Sequence, residues 1–256
     1  MTRERVRWTM GTLCSIEAPG APLEAVTAAF EEIERWDRIL SAHDDESELS
    51  ALNRAAGLGP TLVSADLFVA VACALRLADL SGGLFDPTLR PVIRRGPGAL
   101  PLTDWRKVSL DARTRTIELP LRGMELDFGG FGKGWALDRA AAVLKSRWTG
   151  GALFNFGGQI LAVGAPQGAD GWLVRVPGAP EPLLLRDASV AVSADSERPG
   201  HIHSPIDGLP VRRPGSAAAI CPTAAEADAW STPLYLLGRN PSSFRGLSFF
   251  STGGRS

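Results

Sequence analysis

The stretch Asp127-Phe128-Gly129-Gly130-Phe131-Gly132-Lys133-Gly134-Trp135-Ala136 changes character within a few residues. It leaves residues 124–128, which read as a short strand, crosses a run of glycines, and enters a helix expected over about 134–145. Glycines at such a turn let backbone approach a ligand closely, and a helix N-terminus favours anions. Lys133 adds a positive charge at that end. The segment is not a Walker A loop, because Gly134 follows the lysine where Ser or Thr is required. It is not a dinucleotide fingerprint either, because Leu137 stands where the third glycine belongs. A phosphate cradle and a plain strand–helix turn with a solvated lysine both fit these residues.

Working outward, residues 6–18 alternate loosely and read as one strand. After Pro22, Leu23, Val26, Phe30, Ile33, Trp36 and Leu40 recur at helical spacing. Residues 48–54 read as a short helix. Ser64 can cap a second long helix with Leu67, Val71, Leu75 and Leu80 on one side, and Gly82-Gly83 stops it. Residues 94–101 are rich in Gly and Pro and read as a loop. Short strands are expected at 108–110 and 116–119, and further ones near 152–156, 160–163, 172–176, 183–186 and 190–193. Residues 194–216 read as a loop, 217–221 as a strand and 246–250 as a last strand. Between those two strands, Thr223-Ala224-Ala225-Glu226 is a capping box that opens the final helix. Strand runs broken by helices, without one-for-one alternation, predict an α+β fold of mixed, largely antiparallel sheets with packed helices. No linker separates independent parts, so residues 1–256 read as a single domain.

Composition narrows the function. Apolar residues are 45% and charged residues 21%, ordinary for a globular chain with a sizeable core at 256 residues. The balance of 27 basic and 28 acidic residues argues against a nucleic-acid partner and against general membrane attraction. Cys14, Cys73 and Cys221 lack metal-type spacing, and an odd count suits a reducing, cytoplasmic setting better than a disulfide framework. The first residues lead into no apolar leader and no long apolar window follows, so neither a signal peptide nor a membrane span is expected.

Other segments carry chemistry. On the capped final helix, Asp228 and Thr232 are i and i+4 and share a face. A carboxylate and a hydroxyl are hard oxygen ligands suited to Mg²⁺, although an acidic residue near a helix start is also common for dipole reasons. The 198–208 loop holds His201 and His203. His-x-His without a Cys or a third close His gives little support to a transition metal. A general base and an incidental surface histidine are the two remaining readings. Phe85-Asp86-Pro87-Thr88 reads as a turn, and His43 lies in a charged loop.

Taken in order, these segments resemble the FAD:protein FMN transferases of the ApbE type. The resemblance is carried by Met10-Gly11-Thr12, by Ser47-Glu48-Leu49-Ser50-Ala51-Leu52-Asn53, by Phe85-Asp86-Pro87-Thr88 and by the whole of 127–138. Asn155-Phe156-Gly157-Gly158, the serine–glutamate–arginine segment at 193–198, the His201–Gly208 loop and the 227–238 segment complete it. The resemblance implies an ApbE-like architecture, with a relation to the T-fold and a flavin site at the junction of the sheets. It implies FAD as substrate, Mg²⁺ as cofactor, and an acceptor flavoprotein whose threonine or serine hydroxyl takes FMN while AMP leaves. It places metal ligands at the Gly130 carbonyl, Asp228 and Thr232, with Ser231 beside them. Flavin contacts fall on Met10, His43, Asp127, Lys133 and Ile202, and His201 matches the histidine with a catalytic role. This chain departs from the pattern in several places. His43 stands where a tyrosine is usual, His203-Ser204 replaces a carboxylate-bearing pair, the 90–105 stretch is short, and Pro233 follows Thr232 directly. An FAD-binding protein without transfer, and a Mg²⁺-dependent pyrophosphatase splitting FAD into FMN and AMP, are the alternative readings.

Overall fold

The N-terminal stretch expected as one strand folds as two. In a computed structural model that describes residues 4–195 and 200–252, Glu4–Thr9 (β1) and Thr12–Glu17 (β2) pair antiparallel with Thr9 opposite Thr12. Met10 and Gly11 between them have φ of 45° and 73°. Two consecutive positive φ values are what a two-residue type I′ hairpin requires, because its twist matches that of the flanking strands. Residue alternation conceals this turn, since methionine carries no turn preference.

The chain divides into two compact units, one from residues 1–37, 131–194 and 214–256, the other from 38–130 and 195–213. In the first unit, β1 and β2 begin a seven-stranded sheet. It continues in chain order through Ala152–Phe156 (β3), Gln159–Val163 (β4), Ala188–Ala194 (β5), Ser216–Cys221 (β6) and Leu247–Ser251 (β7). Every pairing is antiparallel, in keeping with the largely antiparallel α+β arrangement expected. The expected helical stripe buries Val26, Phe30, Ile33, Trp36 and Leu40 on Leu23–Leu40 (α1), whereas Leu23 at its start is exposed. Gly132–Arg147 (α2) and Ala224–Leu237 (α3) pack on each other and on the central strands. Trp36 of α1 meets Trp135 of α2 edge-on at 5.5 Å between ring centroids. Elsewhere on the sheet, the hairpin of Trp172–Val174 and Leu183–Leu185 builds an apolar cluster with Ala162, Val190, Ala218 and Ile220.

The second unit holds helices Glu48–Arg54 and Ala65–Leu80. The Ser47 and Ser64 hydroxyls cap them by accepting the N–H groups of Ser50 and Leu67 at 2.9 and 3.1 Å. Its small sheet runs in the order Thr61–Leu62, Thr116–Glu118, Ser109–Asp111. Residues 94–101, expected as a loop, begin inside helix Arg90–Arg95 and continue as the 3₁₀ helix Pro97–Leu102. Pro91 sits in the first turn of that helix, where its missing N–H has no partner to lose. Residues 124–128, expected as a strand, join no sheet. The Leu126 N–H donates to Asn53 Oδ1 at 2.7 Å, and its carbonyl accepts from Asn53 Nδ2 at 2.9 Å. A side-chain amide offers the same donor and acceptor as a neighbouring strand, so the backbone is satisfied without one. Among the described residues, no helix is long and apolar enough to cross a membrane.

Candidate functional site

In the first unit the site begins with the close approach of α2 to α3. A Cβ on Gly134 would lie 2.1 Å from the Ala224 carbonyl oxygen and 2.8 Å from the Ala225 nitrogen, so only glycine fits there. One turn along α2, Asp138 accepts the N–H groups of Ala224 and Ala225 at 2.8 and 2.9 Å. Burial pushes the Asp138 carboxyl up from its ordinary range, and these two donors oppose that rise. Gln159 Nε2 on β4 donates to the Ala224 carbonyl at 2.7 Å. Thr223 caps α3 by accepting the Glu226 N–H at 3.2 Å, as the capping box requires. The start of α3 is therefore held by its own cap, by α2 and by β4.

That anchoring places Asp228 one turn further on. Its carboxylate is buried, and Oδ2 accepts the Gly134 N–H at 3.1 Å. Oδ1 lies 3.7 Å from Lys133 Nζ, an ion-paired separation beyond hydrogen-bond reach. Ser231 Oγ donates to the Asp228 carbonyl at 2.8 Å. Ser193 Oγ, at the end of β5, is 2.9 Å from Ser231 Oγ and 3.2 Å from Thr232 Oγ1. Asp228 and Thr232 share the helix face that their spacing predicts. Pro233 lies inside α3 and offers no N–H to the Ala229 carbonyl. One carboxylate, several hydroxyls and an ammonium thus gather along α3, beside the start of α2 and the end of β5. Among the described residues there is no group of three or more His, Cys, Asp and Glu side chains placed to hold a metal ion. A small set of hard oxygens suits Mg²⁺ all the same, since that ion takes few protein ligands and keeps its other positions for water and phosphate. Also in this unit, the Met10 N–H donates to Asp37 Oδ2 at 2.9 Å, which ties the hairpin turn to α1.

The second unit carries the other expected residues. Asp127 Oδ1 accepts the Gly129 N–H at 2.7 Å, and Oδ2 accepts from Arg90 Nη1 at 2.7 Å. This shapes the turn that ends at Gly130. Arg90 Nε also donates to Glu125 Oε2 at 3.0 Å, and Arg90 Nη2 donates to the Ala42 carbonyl. His43 follows in an exposed loop, its N–H donating to Ser41 Oγ at 3.3 Å. In the Phe85–Thr88 element, Thr88 Oγ1 donates to Asp86 Oδ1 at 2.6 Å and accepts the Asp104 N–H at 2.9 Å. Burial pushes the Asp86 carboxyl up, with the Thr88 hydrogen bonds opposing. The His201 side chain is 45% exposed, with Nδ1 4.0 Å from Asp195 Oδ1. Asp195 Oδ1 in turn accepts the Gly200 N–H at 2.5 Å. Ile202 beside it is buried, and its carbonyl accepts the Val211 N–H at 2.8 Å. Of the serine–glutamate–arginine segment, residues 196–198 lie outside the described residues.

Lys133, Asp228 and Thr232 are thus brought together, Asp127 leads into the Gly130 turn, and His201 shares a loop with Ile202. Reading by segment missed Ser193 as a partner of Thr232, and gave no role to Asn53, Arg90, Asp138 or Gln159. Their partners are distant in sequence, and only Asn53 and Asp138, inside the 47–53 and 127–138 motifs, left a signal.

The sequence matches the profile of the ApbE family over residues 10–243. The chain belongs to the ApbE family. It is 31% identical to the FAD:protein FMN transferase of Treponema pallidum (strain Nichols) over 283 residues, spanning 91% of this chain and 78% of that protein. It is 28% identical to an FAD:protein FMN transferase of Klebsiella pneumoniae (strain 342), spanning 82% of this chain and 74% of that one. The ApbE protein of Thermotoga maritima superposes with a TM-score of 0.84 at 24% identity, over 93% of this chain and 87% of its own. The apo flavinyl transferase ApbE of Pseudomonas stutzeri also gives 0.84, at 23% identity, over 98% of this chain and 90% of its own. These likenesses establish the ApbE fold for the chain.

Proposed function

We propose that this ApbE-family chain is a Mg²⁺-dependent FAD:protein FMN transferase. It moves FMN from FAD onto a threonine or serine of an acceptor flavoprotein and releases AMP. The observation that carries this reading is the gathering of Asp228, Ser231 and Thr232 along α3 with Lys133 at the start of α2 and Ser193 near the end of β5. The named activity of the Treponema and Klebsiella relatives supports the same enzyme class. The family match runs through both units, which supports reading the chain as one catalytic domain. No disulfide joins the three cysteines, which supports a reducing, cytoplasmic setting.

Asp228 and Thr232, with Ser231 beside them, are the proposed Mg²⁺ ligands. When bound, the ion screens the pyrophosphate charge and stabilises the charge that develops during transfer. Lys133 adds its own positive charge to that task. Met10, Asp127, His43 and Ile202 are proposed as flavin contacts. In the reaction, the acceptor oxygen forms a bond to the FMN phosphorus and the phosphorus–oxygen bond to AMP breaks. The hydroxyl proton passes to His201, whose exposed ring is open to an incoming acceptor. The same exposure leaves it open to water, and this favours FAD hydrolysis to FMN and AMP as the second reading.

The test is incubation with FAD, with and without Mg²⁺, in the presence of a candidate acceptor, measuring AMP, free FMN and the acceptor's mass. Mg²⁺-dependent addition of FMN to the acceptor, lost on Asp228→Ala and cut at least about a hundredfold in His201→Ala, is the expected outcome. AMP and free FMN without labelling would replace transfer with hydrolysis. FAD binding without turnover would leave a flavin-binding protein.

A further inference from the structure

Arg90 is a buried cation of the second unit, with its side chain 10% exposed. Its fork serves Glu125 Oε2 at 3.0 Å, Asp127 Oδ2 at 2.7 Å and the Ala42 carbonyl. Glu125 does not depend on it alone, since Arg94 and Arg95 pair with the same carboxylate at 3.0 and 2.9 Å. Arg90 differs from those two exposed arginines in its other two bonds. One ends on Asp127, the other on the peptide just before His43, so both reach segments assigned above to the flavin. Asp127 has its second oxygen on the Gly129 N–H at 2.7 Å, which locks the carboxylate from both sides. These partners lie 37 and 48 residues from Arg90 in the chain, so its one side chain bonds directly to both segments. A buried guanidinium is costly unless its donors are paired, and its planar fork serves several acceptors at once where an ammonium cannot.

We propose that Arg90 is a positioning residue for flavin binding, fixing the Asp127 carboxylate and the Ala42–His43 peptide relative to each other. This rests on the assignment of Asp127 and His43 to the flavin. Arg90→Lys keeps the charge and loses the fork, and Arg94→Ala removes a Glu125 partner that touches neither segment. The full chain is titrated with FAD, following quenching of flavin fluorescence and the visible spectrum of bound flavin, with circular dichroism as the fold control. Arg90→Lys should fold, weaken FAD affinity roughly tenfold or more, and raise the KM for FAD far more than it lowers kcat. Arg94→Ala should change affinity less than about twofold. Adding Arg90→Lys to Asp127→Asn should weaken binding by less than the two single losses combined, since they share the Asp127 carboxylate and differ only in the Ala42 bond. Wild-type affinity in a folded Arg90→Lys, equal damage from Arg94→Ala, or full additivity with Asp127→Asn would each overturn the proposal. Failure of both Arg90→Lys and Arg90→Gln to fold would overturn it too, placing Arg90 in the fold and not the site. A wild-type protein that does not bind FAD would instead bring down the functional reading itself, and this proposal with it.

Discussion

Gly134→Ala probes the contact on which the first unit's site is built. The added Cβ would lie 2.1 Å from the Ala224 carbonyl oxygen and 2.5 Å from its carbon, where ordinary contact begins at 3.4 Å. The helices must therefore separate by about 1.3 Å (3.4 − 2.1) or bend by as much. The clash is with backbone held by Asp138 and Gln159, so no flexible side chain can yield. Overpacking of this kind costs roughly 3 kcal/mol. Alanine regains about 1 kcal/mol as the better helix former. The balance is a loss of about 2 kcal/mol, or roughly 4–8 °C in Tm for a chain of this size. The same displacement stretches the 3.1 Å bond from the Gly134 N–H to Asp228, so the proposed FMN transfer should fall more than stability alone explains. Urea and thermal unfolding followed by circular dichroism give the stability term. Gly98→Ala is the control, because its Cβ meets nothing within 4 Å. A Gly134→Ala protein as stable as wild type, or stabilised by the helix-propensity gain, would show that the close approach does not exist.

Other outcomes follow from particular groups. Burial raises the Asp138 carboxyl above its ordinary value of 3.8. As pH falls, the native state therefore takes up this proton before the unfolded chain does. Its contribution to stability is complete below 3.8 and fades as pH rises through the raised value. The stability of wild type relative to Asp138→Asn should thus increase as pH is lowered from neutral towards about 4, and urea midpoints across that range with the opposite slope would refute the assignment. Burial pushes the thiols of Cys14 and Cys221 up to about 12. A thiol reagent at pH about 8 should then label half-buried Cys73 first and the other two only after denaturation, and rapid labelling of Cys14 read by mass spectrometry would contradict this. Thr223→Ala removes the α3 cap and should cost about 1 kcal/mol, and an unchanged unfolding midpoint would mean that Asp138 and Gln159 secure the helix start without it.

The legible features were those whose partners are near in sequence. Ser47, Ser64 and Thr223 cap through bonds three residues along the chain, so each helix start could be read from a few letters. The apolar stripe of α1 was readable because burial repeats at the helical period. Asp228 and Thr232 were readable as a pair because four residues on a helix return to the same face. The misreadings came where a local signal was absent or was answered from afar. The turn at Met10-Gly11 left a single glycine as its signature, and 124–128 joins no sheet because its partners are the Asn53 side chain and the Pro87 carbonyl.

The sequence alone therefore determined most of the helical and extended segments, which residue types could meet a phosphate or a metal, and the family whose motifs they follow. Tertiary structure decided how those groups are held. Asn53 reaches Leu126 across 73 residues and Gly134 reaches Asp228 across 94. Ser193 and Thr232 are 39 apart. Contacts of that separation depend on how elements pack, on the 2.1 Å that a missing Cβ leaves at Gly134 and on the buried fork of Arg90. No period or motif encodes them, because hydrogen bonding and close packing act on distance in space and not along the chain.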